Sequence, residues 1–149
     1  MIKILTESPN QTRKIGEVLA KEVLENPLGG RAFVLGLRGD LGGGKTVFLQ
    51  GFAKGLGIKE RITSPTFVLM RRFPVLASRY KNFYHLDCYR IEGSKDILSL
   101  GFKDILSDPQ NIVAVEWADK ISKLLKRFVL IRFKFIGEKR RELTIDEKR

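Results

Sequence analysis

The stretch Ala32-Phe33-Val34-Leu35-Gly36-Leu37-Arg38-Gly39-Asp40-Leu41-Gly42-Gly43-Gly44-Lys45-Thr46 carries the reading of the fold. Its first part, residues 32–37, is a short and mostly apolar run of the kind that a buried strand needs. Its second part matches Gly-x-x-x-x-Gly-Lys-[Ser/Thr] at every fixed position. Residues 47–56 continue with helical spacing, and Gly57 offers a stop. Strand, glycine-rich loop and helix in that order make a P-loop. Glycine lets the backbone take unusual torsions and approach a ligand closely. The loop amides then converge on phosphate oxygens, helped by the partial positive charge of the helix N-terminus. Lys45 can neutralise the β and γ phosphates, and the Thr46 hydroxyl can ligate magnesium. Gly39, Asp40, Leu41, Gly42, Gly43, Gly44, Lys45 and Thr46 are therefore read as a site for ATP and Mg2+.

Outward from the loop, the chain alternates strands and helices. Residues 1–5 read as a short strand or an ordered lead-in. Ser8, Pro9 and Gln11 read as a helix start, with Ser8 as cap and Gln11 reaching back as in a capping box. Ile15, Val18, Leu19 and Val23 follow at helical spacing, and Pro27, Gly29 and Gly30 end the helix. Residues 63–66 form a loop or turn. Strands are predicted over 67–73, 80–87 and 112–116, a helix over 94–106 interrupted near Gly101, and a short helix over 118–125. Residues 128–136 and 141–145 suggest a hairpin around Gly137. The pattern predicts an α/β fold, a single P-loop NTPase-like domain over 1–149. Its sheet is mixed and mostly parallel at the centre, flanked by helices, with a C-terminal β-hairpin.

A P-loop nucleotidase needs an acid at the end of a neighbouring strand to hold magnesium or its waters. Two places qualify. Ile112-Val113-Ala114-Val115-Glu116 is four apolar residues ending in a carboxylate, and Phe83-Tyr84-His85-Leu86-Asp87 is a less clean version. Both put the acid at the C-terminal edge of a parallel sheet, where ligands of open α/β folds bind. Position slightly favours Glu116.

Composition bounds the rest. With 43% hydrophobic and 30% charged residues in 149, the chain is globular. No apolar run reaches the ~20 residues a bilayer span requires, so no membrane role is expected. A single cysteine, Cys88, excludes an internal disulfide and fits a reducing compartment. No secretory signal is visible, and a cytoplasmic location is expected. The net charge of +11, from 28 Lys and Arg against 17 Asp and Glu, draws phosphate-rich partners or simply solvates a basic face.

Together these motifs resemble the bacterial TsaE (YjeE) family, the small ATPase of tRNA threonylcarbamoyladenosine biosynthesis. The matching pieces are the segment from Gly39 to Thr46, Gln50-Gly51, Thr63-Ser64-Pro65-Thr66-Phe67, His85-Leu86-Asp87-Cys88-Tyr89-Arg90 and Glu116-Trp117. Their order and spacing are specific and span nearly the whole chain from Ser8 to about Ile136. Gly43 stands where the family commonly has alanine, and Val47 where it often has a second threonine; neither removes a phosphate ligand. The resemblance implies an α/β P-loop fold with a mixed sheet and an ATPase accessory to the transferase partners TsaB and TsaD. Hydrolysis alone is expected to be slow, since the sequence shows no obvious arginine finger. The resemblance leaves direct or indirect tRNA contact open. It places Thr46 and Glu116 on the magnesium, and Asp87 on a Walker-B-like aspartate with a role in hydrolysis. Thr63 to Thr66 falls on a switch-like loop near the γ phosphate, and Thr12 near the base and sugar. Lys45, Asp87 and Glu116 are the residues expected to carry catalysis.

Among other residues, His85 is read as structural or as orienting Asp87 or the switch loop. Tyr89 is read as packing, Arg90 as reaching a phosphate or, in preference, pairing with an acid, Trp117 as packing beneath the nucleotide or facing a partner, and Cys88 as buried filler. Two rivals stand beside the ATPase. One is a small-molecule P-loop kinase, against which the chain shows no arginine-rich lid. The other is a nucleotide-gated RNA-binding module, against which it shows no aromatic-rich RNA-binding motif.

Overall fold

The computed structural model describes residues 1–40, 44–63, 70–76 and 78–148. In chain order the elements are β1 (Ile2–Thr6), α1 (Pro9–Glu25), β2 (Phe33–Gly39), α2 (Lys45–Gly55), β3 (Met70–Pro74) and β4 (Asn82–Asp87). There follow α3 (Ser94–Leu98), α4 (Phe102–Ser107), β5 (Asn111–Glu116), a 3-10 helix (Ala118–Leu124), β6 (Phe128–Phe135) and β7 (Arg141–Lys148).

Seven strands form a sheet in the order β1-β7-β6-β2-β5-β4-β3. The pairings β6–β2, β2–β5 and β5–β4 are parallel, and the outer pairings are antiparallel. The parallel centre with antiparallel additions is the mixed sheet expected from the sequence. All six residues of β5 are buried, as a strand covered on both faces requires. Alternation then divides the core. Phe33, Leu35, Leu37, Phe83, Ile112 and Ala114 face α1 and α2, together with Phe48, Leu49 and Phe52 of α2. Val34, Leu86, Val113 and Val115 pack on the other face with Ile97, Phe102 and Ile121. His85, Asp87 and Glu116 share the parity of Phe83 and Ile112, which points them to the α2 side.

Several local expectations shift. Ser8 caps α1 by accepting from the Gln11 amide at 3.2 Å, but Gln11 Oε1 accepts from Glu7 N at 2.7 Å, one residue earlier than a capping box would have it. The helix expected over 94–106 splits at Gly101, whose φ of 76° only glycine adopts cheaply. The helix after β5 is of the 3-10 type. β3 lies at 70–74, and residues 67–69 of the expected strand lie outside the described ones. β1 sits at the sheet edge beside β7. No helix among the described residues is long and apolar enough to cross a membrane.

α1 and α2 pack through glycine. A Cβ on Gly51 would lie 1.8 Å from the Arg13 carbonyl oxygen, and one on Gly16 would lie 2.2 Å from the Phe48 carbonyl oxygen. The two backbones therefore approach as closely as glycine allows. Gly51→Ala is expected to lower the unfolding free energy by about 2–3 kcal/mol, since overpacking a crossing forces backbone to move. Urea denaturation measures this; an unchanged midpoint would mean that α1 can move away at no cost.

Candidate functional site

Three strands end side by side at the C-terminal edge of the parallel sheet. Glu116 of β5 pairs in register with Leu37 of β2 on one side and Asp87 of β4 on the other. Both acids expected from the sequence are thus brought together, not one or the other. β2 runs on to Gly39, and α2 starts at Lys45. Gly39 has φ 153° and a virtual Cβ 2.8 Å from the Phe133 carbonyl oxygen, so both torsion and space demand glycine. Gly44, with φ 102°, caps α2 in a conformation that a side chain would strain. Thr46 follows in the first turn of α2, and Asp40 is exposed. Leu41, Gly42, Gly43 and Thr66 lie outside the described residues.

Lys45 is buried. Its Nζ donates to the Gly39 carbonyl and sits 4.1 Å above the centroid of the Trp117 ring. Burial pushes the Lys45 pKa below its ordinary value, against the pull of Glu116, Asp87, Asp40 and Asp119. Trp117 is the only non-glycine with positive φ among the described residues, at φ 58° and ψ 45°. Its amide donates to the Leu37 carbonyl at 3.1 Å, and its ring packs against Tyr89 at 5.1 Å between centroids. A left-handed tryptophan costs roughly 1–3 kcal/mol, a strain of the sort that collects at functional sites. Sequence reading left Trp117 between packing and partner contact. Register places it under Lys45, which no local signal could show.

Asp87 accepts from the Tyr89 amide at 2.9 Å. Burial pushes its pKa up; that hydrogen bond works against the rise, and the charge of Glu116 adds to it. Glu116 is 3% exposed, and its Oε2 accepts from His85 Nε2 at 2.7 Å. His85 therefore contacts Glu116, not the Asp87 of its own motif. Tyr89, read as packing, is 44% exposed, and Arg90 makes no ion pair among the described residues. Cys88 is buried, its thiol pushed up to about 12 by burial, which leaves it inert.

The far wall comes from α1 and the hairpin. A Cβ at Gly44 would lie 3.7 Å from Thr12 Cγ2, Phe133 Cδ2 and Arg141 Cγ alike. Thr12 spends its hydroxyl on Thr6, Oγ1 to Oγ1 at 2.7 Å in a buried pair, so what it offers the loop is its methyl group. Arg141, which the sequence placed only at the start of the second hairpin strand, stacks 3.9 Å above the Phe135 ring beside this wall. Thr63 is exposed, and the segment before it is tied to α2 by Gln50 Nε2 donating to the Ile62 carbonyl at 3.3 Å.

The donors at the strand ends are hard oxygens: the carboxylates of Glu116 and Asp87, with the Thr46 hydroxyl at the start of α2. Among the described residues no group of three or more His, Cys, Asp or Glu could hold a metal by itself. That set fits magnesium, which binds through one or two carboxylates and substrate phosphates and does not need an all-protein cage.

Comparison with known proteins agrees with this fold. The family model described as TsaE, threonylcarbamoyl adenosine biosynthesis protein, matches residues 6–143. The tRNA threonylcarbamoyladenosine biosynthesis protein TsaE of Bacillus subtilis is 35% identical over 144 residues, covering 96% of this chain and 84% of that one. Its namesake in Treponema pallidum is 30% identical over 145 residues, covering 97% and 99%. The crystal structure of Bacillus subtilis YdiB superposes with a TM-score of 0.72 at 32% identity, covering 97% of this chain and 83% of that one. The chain belongs to the TsaE family of tRNA threonylcarbamoyladenosine biosynthesis proteins.

Proposed function

We propose that this protein binds Mg2+-ATP at the C-terminal edge of its sheet and hydrolyses it slowly, as a cytoplasmic accessory to N6-threonylcarbamoyladenosine formation in tRNA. The observation that carries this reading is the convergence of Lys45, Asp87 and Glu116 at the mouth of the Gly39–Thr46 segment. Lys45 leaves the Gly39 carbonyl and the Trp117 face to meet the β and γ phosphates. The amides of the glycine loop and the start of α2 take the remaining phosphate oxygens. Thr46 and Glu116 would hold the magnesium, which neutralises charge building on the phosphates. Asp87 orients a water toward the γ phosphorus and accepts its proton, as a carboxylate with a raised pKa can. The new bond joins that water oxygen to phosphorus, the β–γ bridging bond breaks, and ADP and phosphate leave.

Among the described residues, Lys45 is the cation seen against these carboxylates. Among the described residues no arginine is fixed across from it to stabilise the transferring phosphoryl group, so partners TsaB and TsaD would complete the site. On the sheet face turned away from α1 and α2, the strands β2, β6, β7 and β1 carry Arg38, Arg132, Thr144 and Lys3 in one register row. Like charges opposite each other suit an anionic neighbour, and tRNA phosphates, met directly or beside the partners, would serve. The test is phosphate release from Mg2+-ATP, alone and with TsaB and TsaD. Slow release that rises roughly ten-fold or more with partners is expected. Release indifferent to partners would remove the accessory reading.

A further inference from the structure

We propose that His85 is a positioning residue for Glu116: its Nε2–H fixes Oε2, so that Oε1 is the oxygen Glu116 presents to the magnesium-nucleotide. The inference rests on the reading of the site given under Proposed function.

The geometry begins with register. β4 and β5 run parallel with His85 opposite Ala114 and Asp87 opposite Glu116. His85 and Glu116 are therefore diagonal neighbours on one face of the sheet. A fully buried Ala114 puts only a methyl group between them, and the imidazole reaches past it to the carboxylate at 2.7 Å. A carboxylate can only accept, so Nε2 carries the hydrogen. Both side chains are almost wholly withdrawn from water, at 1% and 4% exposure, which makes the bond short-range and unscreened.

A purely structural histidine at this place makes little sense. On the sheet it lies between Ala114 of β5 and the exposed Arg71 of β3, beside Phe83 and the apolar core under α2, where leucine or phenylalanine would pack on that core without a polar cost. The ring also leaves Nδ1 buried with no hydrogen-bond partner among the described residues. Buried polar atoms are nearly always satisfied, and an exception calls for a reason. The reason offered by the structure is the other nitrogen. Glutamate has three rotatable side-chain bonds, and without a neighbour its carboxylate would sample several orientations at the strand end. Metal ligands held by a fixed outer donor bind more tightly, and losing that donor commonly costs 10- to 100-fold.

The test measures ATP binding by calorimetry across a magnesium series and in EDTA, for the wild type, His85→Leu and His85→Gln, with thermal melts to confirm folding. Glutamine places an N–H near the position of Nε2, whereas leucine keeps bulk without a donor. The expected result is a magnesium midpoint raised roughly 10- to 100-fold in His85→Leu, with affinity in EDTA unchanged within about two-fold. His85→Gln is expected to recover most of that loss. An unchanged midpoint in His85→Leu overturns the inference. So does a loss of EDTA affinity equal to the loss in magnesium, with no recovery by His85→Gln, which would make His85 a packing residue. A wild type whose ATP binding ignores magnesium would sink the function reading first, and this inference with it.

Discussion

Lys45→Ala is expected to weaken ATP binding by about a hundred-fold or more, close to 3 kcal/mol, and to take phosphate release to background. In the structure the ammonium is satisfied in two ways, by the Gly39 carbonyl and by the face of Trp117. A cation over tryptophan contributes roughly 0.5–2 kcal/mol, so leaving for the phosphates is not free. What tips the balance is charge: two phosphate groups offer several charge-assisted hydrogen bonds, each stronger than a neutral one. Burial already pushes the Lys45 pKa down, so the cation is held at some cost until a ligand joins it. Removing it should therefore spare the fold. Lys45→Met, which keeps the stem over Trp117, should bind ATP as poorly as alanine while melting closer to wild type. Trp117 is the chain's one tryptophan and reports the event directly. ATP should change its fluorescence in the wild type as Lys45 leaves the ring, and leave it unmoved in either variant. Normal ATP binding by Lys45→Ala would remove the phosphate-loop assignment.

How much of this was legible beforehand depends on the range of the interaction. The glycine spacing of Gly39 and Gly44 was readable because backbone torsion is local, and both positions do take the positive φ that the motif demands. The strand-end acids were readable because a run of apolar residues closing on a carboxylate marks the edge of a buried strand. Sequence could not say that Asp87 and Glu116 would face each other, since that is set by the register of β4 on β5. It could not pair His85 with Glu116, which lies 31 residues on. Nor could it place Trp117 beneath Lys45 or Arg141 beside Gly44, contacts made across strands that are distant in the chain. The position of β1 beside β7 joins the two ends of the chain and had no local signature. Gly51 shows the opposite case: a residue noted only as part of a resemblance has a packing reason, the crossing with Arg13.

Asp87→Asn is expected to separate function from stability in one substitution. Hydrolysis should fall roughly 100-fold or more, because an amide cannot accept the proton of the attacking water. ATP binding should persist, since Lys45 and the loop remain. The nucleotide-free protein should become more stable at neutral pH. The sign follows from the direction of the shift: burial and the charge of Glu116 raise the Asp87 pKa in the folded state. Its contribution to stability is full below the ordinary aspartate pKa and is lost as pH rises through the higher folded value. Asparagine has no such loss and can still accept from the Tyr89 amide. The melting temperatures of variant and wild type should therefore coincide near pH 4 and diverge toward pH 7, with the variant higher by about 2–4 °C for each kcal/mol recovered. A variant that melts below wild type at pH 7 would mean that Lys45 and its surroundings already stabilise the Asp87 charge. If the gap opens as expected, the edge of the sheet holds two carboxylates closer than folding alone would favour. A cation arriving with the nucleotide would relieve that repulsion, so the cost of the empty site becomes part of the affinity for magnesium.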